Sequence, residues 1–300
     1  MDRTEFTHAQ AEISFLDRMT KNGGLSNLTR LSLQSRMNQV AASLRDPGRG
    51  VFAPAKAIVT YRGAPVRGVH GMVAEFGAAV TTKFSDAIAA IAASLSGVLN
   101  DFGPIPNKAQ HQILITGTAL GSFGFEFEEA PSAEAQLPLE GTTPVSQAFE
   151  LVAELLEAST KSDEELSEPA SRLGTRALGM VSEYLDKLIA YEAFCSVTTR
   201  DHVFAFSSVD QVRISRLRLS AENISEKEVD FTGQFLGAFP AERRFEFQTI
   251  DGVVIHGRIT AEIEDPSAIN AHLNRTFTIK VNARTVGRGR PRYSISALPW

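Results

Sequence analysis

Residues 113–129 read ILITGTALGSFGFEFEE, and the way they fold decides what kind of protein this is. Two structures compete: a strand running into a glycine-rich phosphate loop, or two strands joined by a turn. A short-chain-dehydrogenase fingerprint, T-G-x3-G-x-G, is met by Thr116, Gly117 and Gly121, but Phe123 stands where the last glycine belongs. A Walker loop needs Gly-Lys-Ser/Thr, and the stretch has no lysine. A phosphate loop must also open a helix, because the helix N-terminus supplies the N–H groups and partial positive charge that hold the anion. After Gly121 comes Ser-Phe-Gly-Phe-Glu-Phe-Glu, in which Phe123, Phe125 and Phe127 alternate with Gly124, Glu126 and Glu128. That is strand period, and it would aim carboxylates at a phosphate. We therefore expect extended backbone after Gly121, with glycines serving turns or close packing.

Working outward, residues 1–46 carry two apolar stripes, Ile13, Leu16 and Met19 with Phe15, and then Leu28, Leu31, Leu33, Met37, Val40 and Leu44, separated by Asn22-Gly23-Gly24. They predict two amphipathic helices whose apolar faces need a partner, either the rest of the chain or a second subunit. Ile58 to Tyr61 predict a strand, with Arg62-Gly63-Ala64-Pro65 as a turn. A long helix is expected over 74–99 and another over 143–160, the latter opened by a threonine cap and a proline. The next helix is expected over about 169–194, and the acidic STKSDEELSE before it reads as a solvated connection. Residues 197–228 fit either period.

From Val229 the texture changes to five strand-like runs: VDFTGQFLGAF, RRFEFQTI, VVIHGRITAEI, TFTIKVNARTV and RYSISAL. Asp251-Gly252 marks a tight hairpin. Asp265 and Pro266 open a short helix between the third and fourth strands. Three strands, a helix and two strands is the order of an OB-type barrel, with an SH3-like barrel as the rival. The fold class is α+β: a helical and mixed α+β domain over 1–228, and a small five-stranded β-barrel over 229–300.

With 43% apolar and 22% charged residues the chain can bury a sizeable core. The net charge of −5 argues against broad, non-specific coating of DNA. Cys195 is the sole cysteine, so no intrachain disulfide forms, and a reducing, cytoplasmic setting is expected. Its apolar neighbours mark it as a buried small hydrophobe. No signal-peptide pattern opens the chain, and the apolar run at 87–99 reads as a buried helix, so no membrane contact is expected.

Several side chains invite chemistry. His70 lies between glycines in RGVHGMV, with Arg62 and Arg67 nearby, and Glu126 and Glu128 share the polar face of one strand. Together His70, Arg67, Glu126 and Glu128 would be the centre of a hydrolase or nuclease. The bland reading makes His70 a turn residue and the glutamates a solvated face. The six histidines show no clear metal spacing, and one cysteine argues against zinc. No metal or cofactor is expected.

Gly287–Arg292, GRGRPR, resembles an AT-hook, whose Arg-Gly-Arg-Pro core lies in the A·T minor groove. Lys280, Arg284, Arg288, Arg290 and Arg292 fall in a segment, 275–292, with six basic residues and no acid. A basic barrel edge interleaved with Phe277 and Tyr293 is a candidate nucleic-acid surface, although GRGRPR also makes a serviceable hairpin loop. The expectation is a non-catalytic binding or assembly protein. It would use a protein partner or self-association through the N-terminal helices and contact nucleic acid along the barrel edge. The enzyme centred on His70 is the alternative, and a small-molecule pocket between the two domains is a third possibility.

Overall fold

The structure, a computed structural model, describes residues 3–20, 27–44, 54–97, 99–100, 102–119, 123–130 and 143–300. Asn22–Gly24 and Gly121 lie outside them. Two helices come first, α1 (Arg3–Thr20) and α2 (Asn27–Leu44). Leu16 and Val40 are buried here, and neither belongs to the two main cores. Glu12 and Arg36 add an exposed ion pair of 2.8 Å.

β1 (Lys56–Gly63) leads into a small hairpin of β2 (Val66–Arg67) and β3 (Gly71–Met72), and α3 (Ala74–Leu95) follows. Then come β4 (Ile113–Thr118) and β5 (Phe123–Glu129), which pair antiparallel from Ile113 opposite Glu129 to Thr118 opposite Phe125. The opening question is answered: the backbone from Phe123 is a strand. Gly124 is required by packing, since a Cβ there would sit 2.1 Å from the Val59 carbonyl oxygen on β1.

α4 (Pro144–Ser159) starts as expected, with the Thr143 hydroxyl accepting from the Ser146 N–H. The next segment departs from expectation. The acidic stretch is not a connection: it forms α5 (Asp163–Ser171), and Gly174 separates it from α6 (Thr175–Ala190). The physical reason is a capping box, in which the Ser162 side chain and Glu165 satisfy each other's backbone N–H groups. α6 also stops short of Phe194, because 193–198 pairs with β1 as β6 (Ala193–Thr198). β7 (Val203–Ala205) and α7 (Val209–Arg218), capped by Ser208, resolve the ambiguous region.

These strands form one antiparallel sheet in the order β4-β5-β1-β6-β7. Ala57, Val59, Tyr61, Phe127, Cys195 and Val197 share a buried cluster with residues of α3, α4 and α6. Phe84 of α3 sits at its centre, with ring centroids 4.9 Å from Phe127 and 5.5 Å from Tyr184. Burying one such ring is worth roughly 2–3 kcal/mol. α3 is long and apolar enough by length and composition to cross a membrane; in this fold it is the core helix. Cys195 is buried, and burial pushes its thiol up to about 12, which removes its nucleophilic form near neutral pH.

The barrel comprises β8 (Ile224–Phe239), β9 (Arg244–Thr249), β10 (Val254–Ile259), a 3-10 helix (Pro266–His272), β11 (Thr276–Val286) and β12 (Arg292–Ile295). It is closed in the order β10-β12-β11-β8-β9, with β10 and β12 parallel and the other neighbours antiparallel. That pairing of third and fifth strands is the OB arrangement. Phe235, Phe245, Phe247 and Ile279 fill the interior. The expected boundary after residue 228 lies inside β8. Its first residue, Ile224, and its partner Val286 pack into the main core, so the β8–β11 ladder ties barrel to body.

Candidate functional site

The basic loop Gly287–Arg292 joins β11 to β12 and sits on the first turn of α5. Gly287 has φ +50°, and a Cβ there would lie 2.2 Å from an Asp163 carboxylate oxygen. The Arg288 N–H donates to Asp163 at 3.2 Å, and the Arg290 N–H donates to Glu164 at 2.8 Å. The Arg292 guanidinium pairs with Glu164 at 3.3 Å and Glu168 at 3.7 Å. Arg284 donates to the carbonyls of Ala170 and Leu173 at the far end of α5 and pairs with Glu226. Its side chain is only 11% exposed. Burial works to raise the Glu226 pKa, but the Arg284 charge, with bonds from Arg284, Asn282 and Thr175, outweighs it and holds the carboxyl below its usual value.

The five candidate residues of the segment thus divide. Arg284 and Arg292 hold the barrel to α5. Arg288 and Arg290 dock through backbone N–H groups and keep exposed side chains. Lys280 is exposed on β11, opposite Asp230.

A second surface lies around the corner, on the outward side of β8, β9 and β10. Phe239, Arg244 and Arg258 stand in one cross-strand row, with Glu246 and His256 in the next. Phe239 is 51% exposed, and the His256 Nδ1 is 3.3 Å from Glu246. These residues line a cleft of about 390 Å³, closed on one side by Glu168 and Ser171 of α5. Burial first, then the charges of Arg172 and Arg244, lower the Arg258 pKa, and Glu168 at 3.3 Å opposes them. Three guanidinium groups are therefore crowded here. Nothing in the sequence draws attention to Arg172, Arg244 or Phe239. His256 and Arg258 were legible as outward residues, since Ile255 and Ile259 alternate with them on β10.

The other predicted group is not brought together. His70 and Arg67 are exposed at the β2–β3 hairpin, beyond the Gly63 end of β1. Glu126 and Glu128 pair with Ile58 and Lys56, at the opposite end. Five to seven strand residues, about 16–23 Å, separate Gly63 from the Ile58 and Lys56 partners of those glutamates. The solvated-face reading of the glutamates is corrected as well. Glu128 is buried, its charge met by Lys56 at 3.1 Å, and Glu129 is buried, accepting from the Thr143 hydroxyl at 2.8 Å. His111 is buried near Glu129, and burial lowers its pKa despite that carboxylate. Among the described residues, no three His, Cys, Asp or Glu side chains are grouped to hold a metal ion.

No family model, curated protein or solved structure matches this chain.

Proposed function

We propose that this chain is a non-catalytic binding protein whose barrel takes single-stranded nucleic acid along the outward face of β9 and β10. The polymer would continue past the side chains of Arg288 and Arg290 and Lys280, while Arg284 and Arg292 position that edge. The single observation that carries the reading is the row Phe239–Arg244–Arg258 on a surface left open by the rest of the fold. An exposed aromatic ring offers a base a stacking platform, and adjacent guanidinium groups neutralise phosphates. Glu246 and His256 add an acceptor and a donor for base edges.

Fluorescence anisotropy with a labelled 20-nucleotide DNA and the same RNA tests it. Phe239→Ala and Arg244→Ala should each weaken binding roughly tenfold, and Arg244→Ala should flatten the salt slope by about one. Absence of binding at low salt, or affinity indifferent to both substitutions, would sink the reading.

The assembly half of the proposal rests on the N-terminal helices. Phe15 is 55% and Leu31 68% exposed there, although both belong to apolar stripes. A second copy or a partner helix is the natural cover. Light scattering on Phe15→Glu and Leu31→Glu checks it: an unchanged mass that was already monomeric rules out self-association.

A further inference from the structure

A separate cleft of about 450 Å³ opens between the barrel and the body, on the other side of Arg258. Its walls come from the α5–α6 turn, the C-terminal end of α3, and the β10 and β12 side of the barrel. The volume falls in the range of small-molecule sites, which favour junctions between packed units. We propose that this cleft binds a small phosphate ester of nucleotide size, its anion held between Arg172 and Arg258.

Four observations converge. Arg172 lies on the body and Arg258 on the barrel, and they press on each other as like charges. Each has one carboxylate partner, Glu154 at 2.7 Å and Glu168 at 3.3 Å, which leaves guanidinium edges for a further anion. Second, among the described residues six buried side-chain polar atoms lack a hydrogen-bond partner, and three of them belong to this cleft's lining: Arg284 Nε, Arg292 Nε and Asn282 Oδ1. Unpartnered buried polar atoms are costly, and a small shift of these side chains toward a bound anion or polar ligand would supply the missing partners. Third, α6 opens onto the cleft through Gly174 with no side-chain cap, so its first N–H groups add partial positive charge. Fourth, the cleft is chemically mixed. Glu226 is already neutralised by Arg284, whereas Glu262 is exposed at the rim and can accept from a ligand hydroxyl or amino group. A phosphate bridging two arginines is stronger than a carboxylate there because it offers oxygens to both forks at once.

The inference does not depend on the polymer reading. Calorimetric titration of the full chain with inorganic phosphate, pyrophosphate and adenosine triphosphate tests it. Pyrophosphate and the nucleotide should bind saturably and raise Tm with concentration. Arg172→Gln should weaken both at least tenfold. Ser94→Trp, which fills the cleft from α3 without touching an ion pair, should weaken the nucleotide at least tenfold as well, and circular dichroism verifies that both variants fold. Lack of saturable binding by any of the three probes, or binding that survives both substitutions, overturns the proposal. Oligonucleotide anisotropy on the same samples separates the two readings: a chain that binds nucleotide but no polymer keeps this site and loses the open-face function.

Discussion

Two faces of one barrel use arginine in opposite ways. On the β11–β12 edge, Arg284 and Arg292 meet carboxylates and carbonyls of α5 and β8, and the loop's own N–H groups are taken by Asp163 and Glu164. On the β9–β10 face, Arg244 is more than half exposed and its nearest carboxylate, Glu242, is 4.0 Å away. The first set has its charge cancelled by protein. On the second face Arg244 keeps a charge that solvent or a ligand must meet, while its row neighbour Arg258 is paired with Glu168 at 3.3 Å. Density of basic residues along a sequence is thus a poor guide to free positive charge, because the cancelling carboxylate can lie 128 residues away, as Glu164 does from Arg292.

The contrast can be broken at its strongest point. Arg284→Ala would strand the partly buried Glu226 and the carbonyls of Ala170 and Leu173, which should cost about 3 kcal/mol. Urea unfolding read through Trp300, the sole tryptophan and packed at 4.2 Å on His272 of the barrel, measures it. A loss below about 1 kcal/mol would mean that the edge is not the sealed face.

Acid reaches the same pair. Glu226 has a folded pKa below the usual carboxyl value of 4.5, so its contribution to stability is present above about 4.5 and is lost as pH falls through the folded value. His111 acts in an earlier window. Its folded pKa is lowered from 6.5, so the folded state prefers neutral imidazole, and stability declines as pH falls below about 6.5. Thermal melts at stepped pH should show a first decline that His111→Gln removes and a second that Glu226→Gln removes. Melts flat from pH 7 to pH 5 would contradict the His111 assignment, and an acid decline below pH 4.5 that Glu226→Gln leaves unchanged would contradict the other.

On the open face the expected changes are in binding and not in folding. Phe239→Ala should leave Tm within a few degrees of the parent while oligonucleotide affinity falls about tenfold, a change of about 1.4 kcal/mol. The smallest effect is predicted for Arg288→Ala with Arg290→Ala. Because backbone N–H groups do the docking there, stability should move by less than about 0.5 kcal/mol, and any effect should appear as a salt-dependent loss of polymer affinity. A large loss of stability would show that those side chains belong to the sealed edge after all.

Much of the architecture was legible in the residues. The alternation of Phe123, Phe125 and Phe127 excluded a helix after Gly121, because period two cannot present one face of a helix. The Thr143-Pro144 start and the Asp265-Pro266 start were both readable caps. α5 was missed because its charge drew attention, while its decisive signal was the spacing of Ser162 and Glu165. β6 was missed because apolar residues at the end of a helix look the same as a buried strand until a partner strand is known.

The candidate sites were less legible, for a physical reason. Local periodicity, caps and turns are short-range interactions, so the sequence by itself settled the α+β class, the extended backbone of β4 and β5 and the five barrel strands. Which arginines are neutralised, which aromatic ring stays exposed and where two clefts open depend on contacts between residues far apart in the chain. Only tertiary packing decided them, because electrostatic energy depends on distance in space and on burial, and neither is written in the order of the residues.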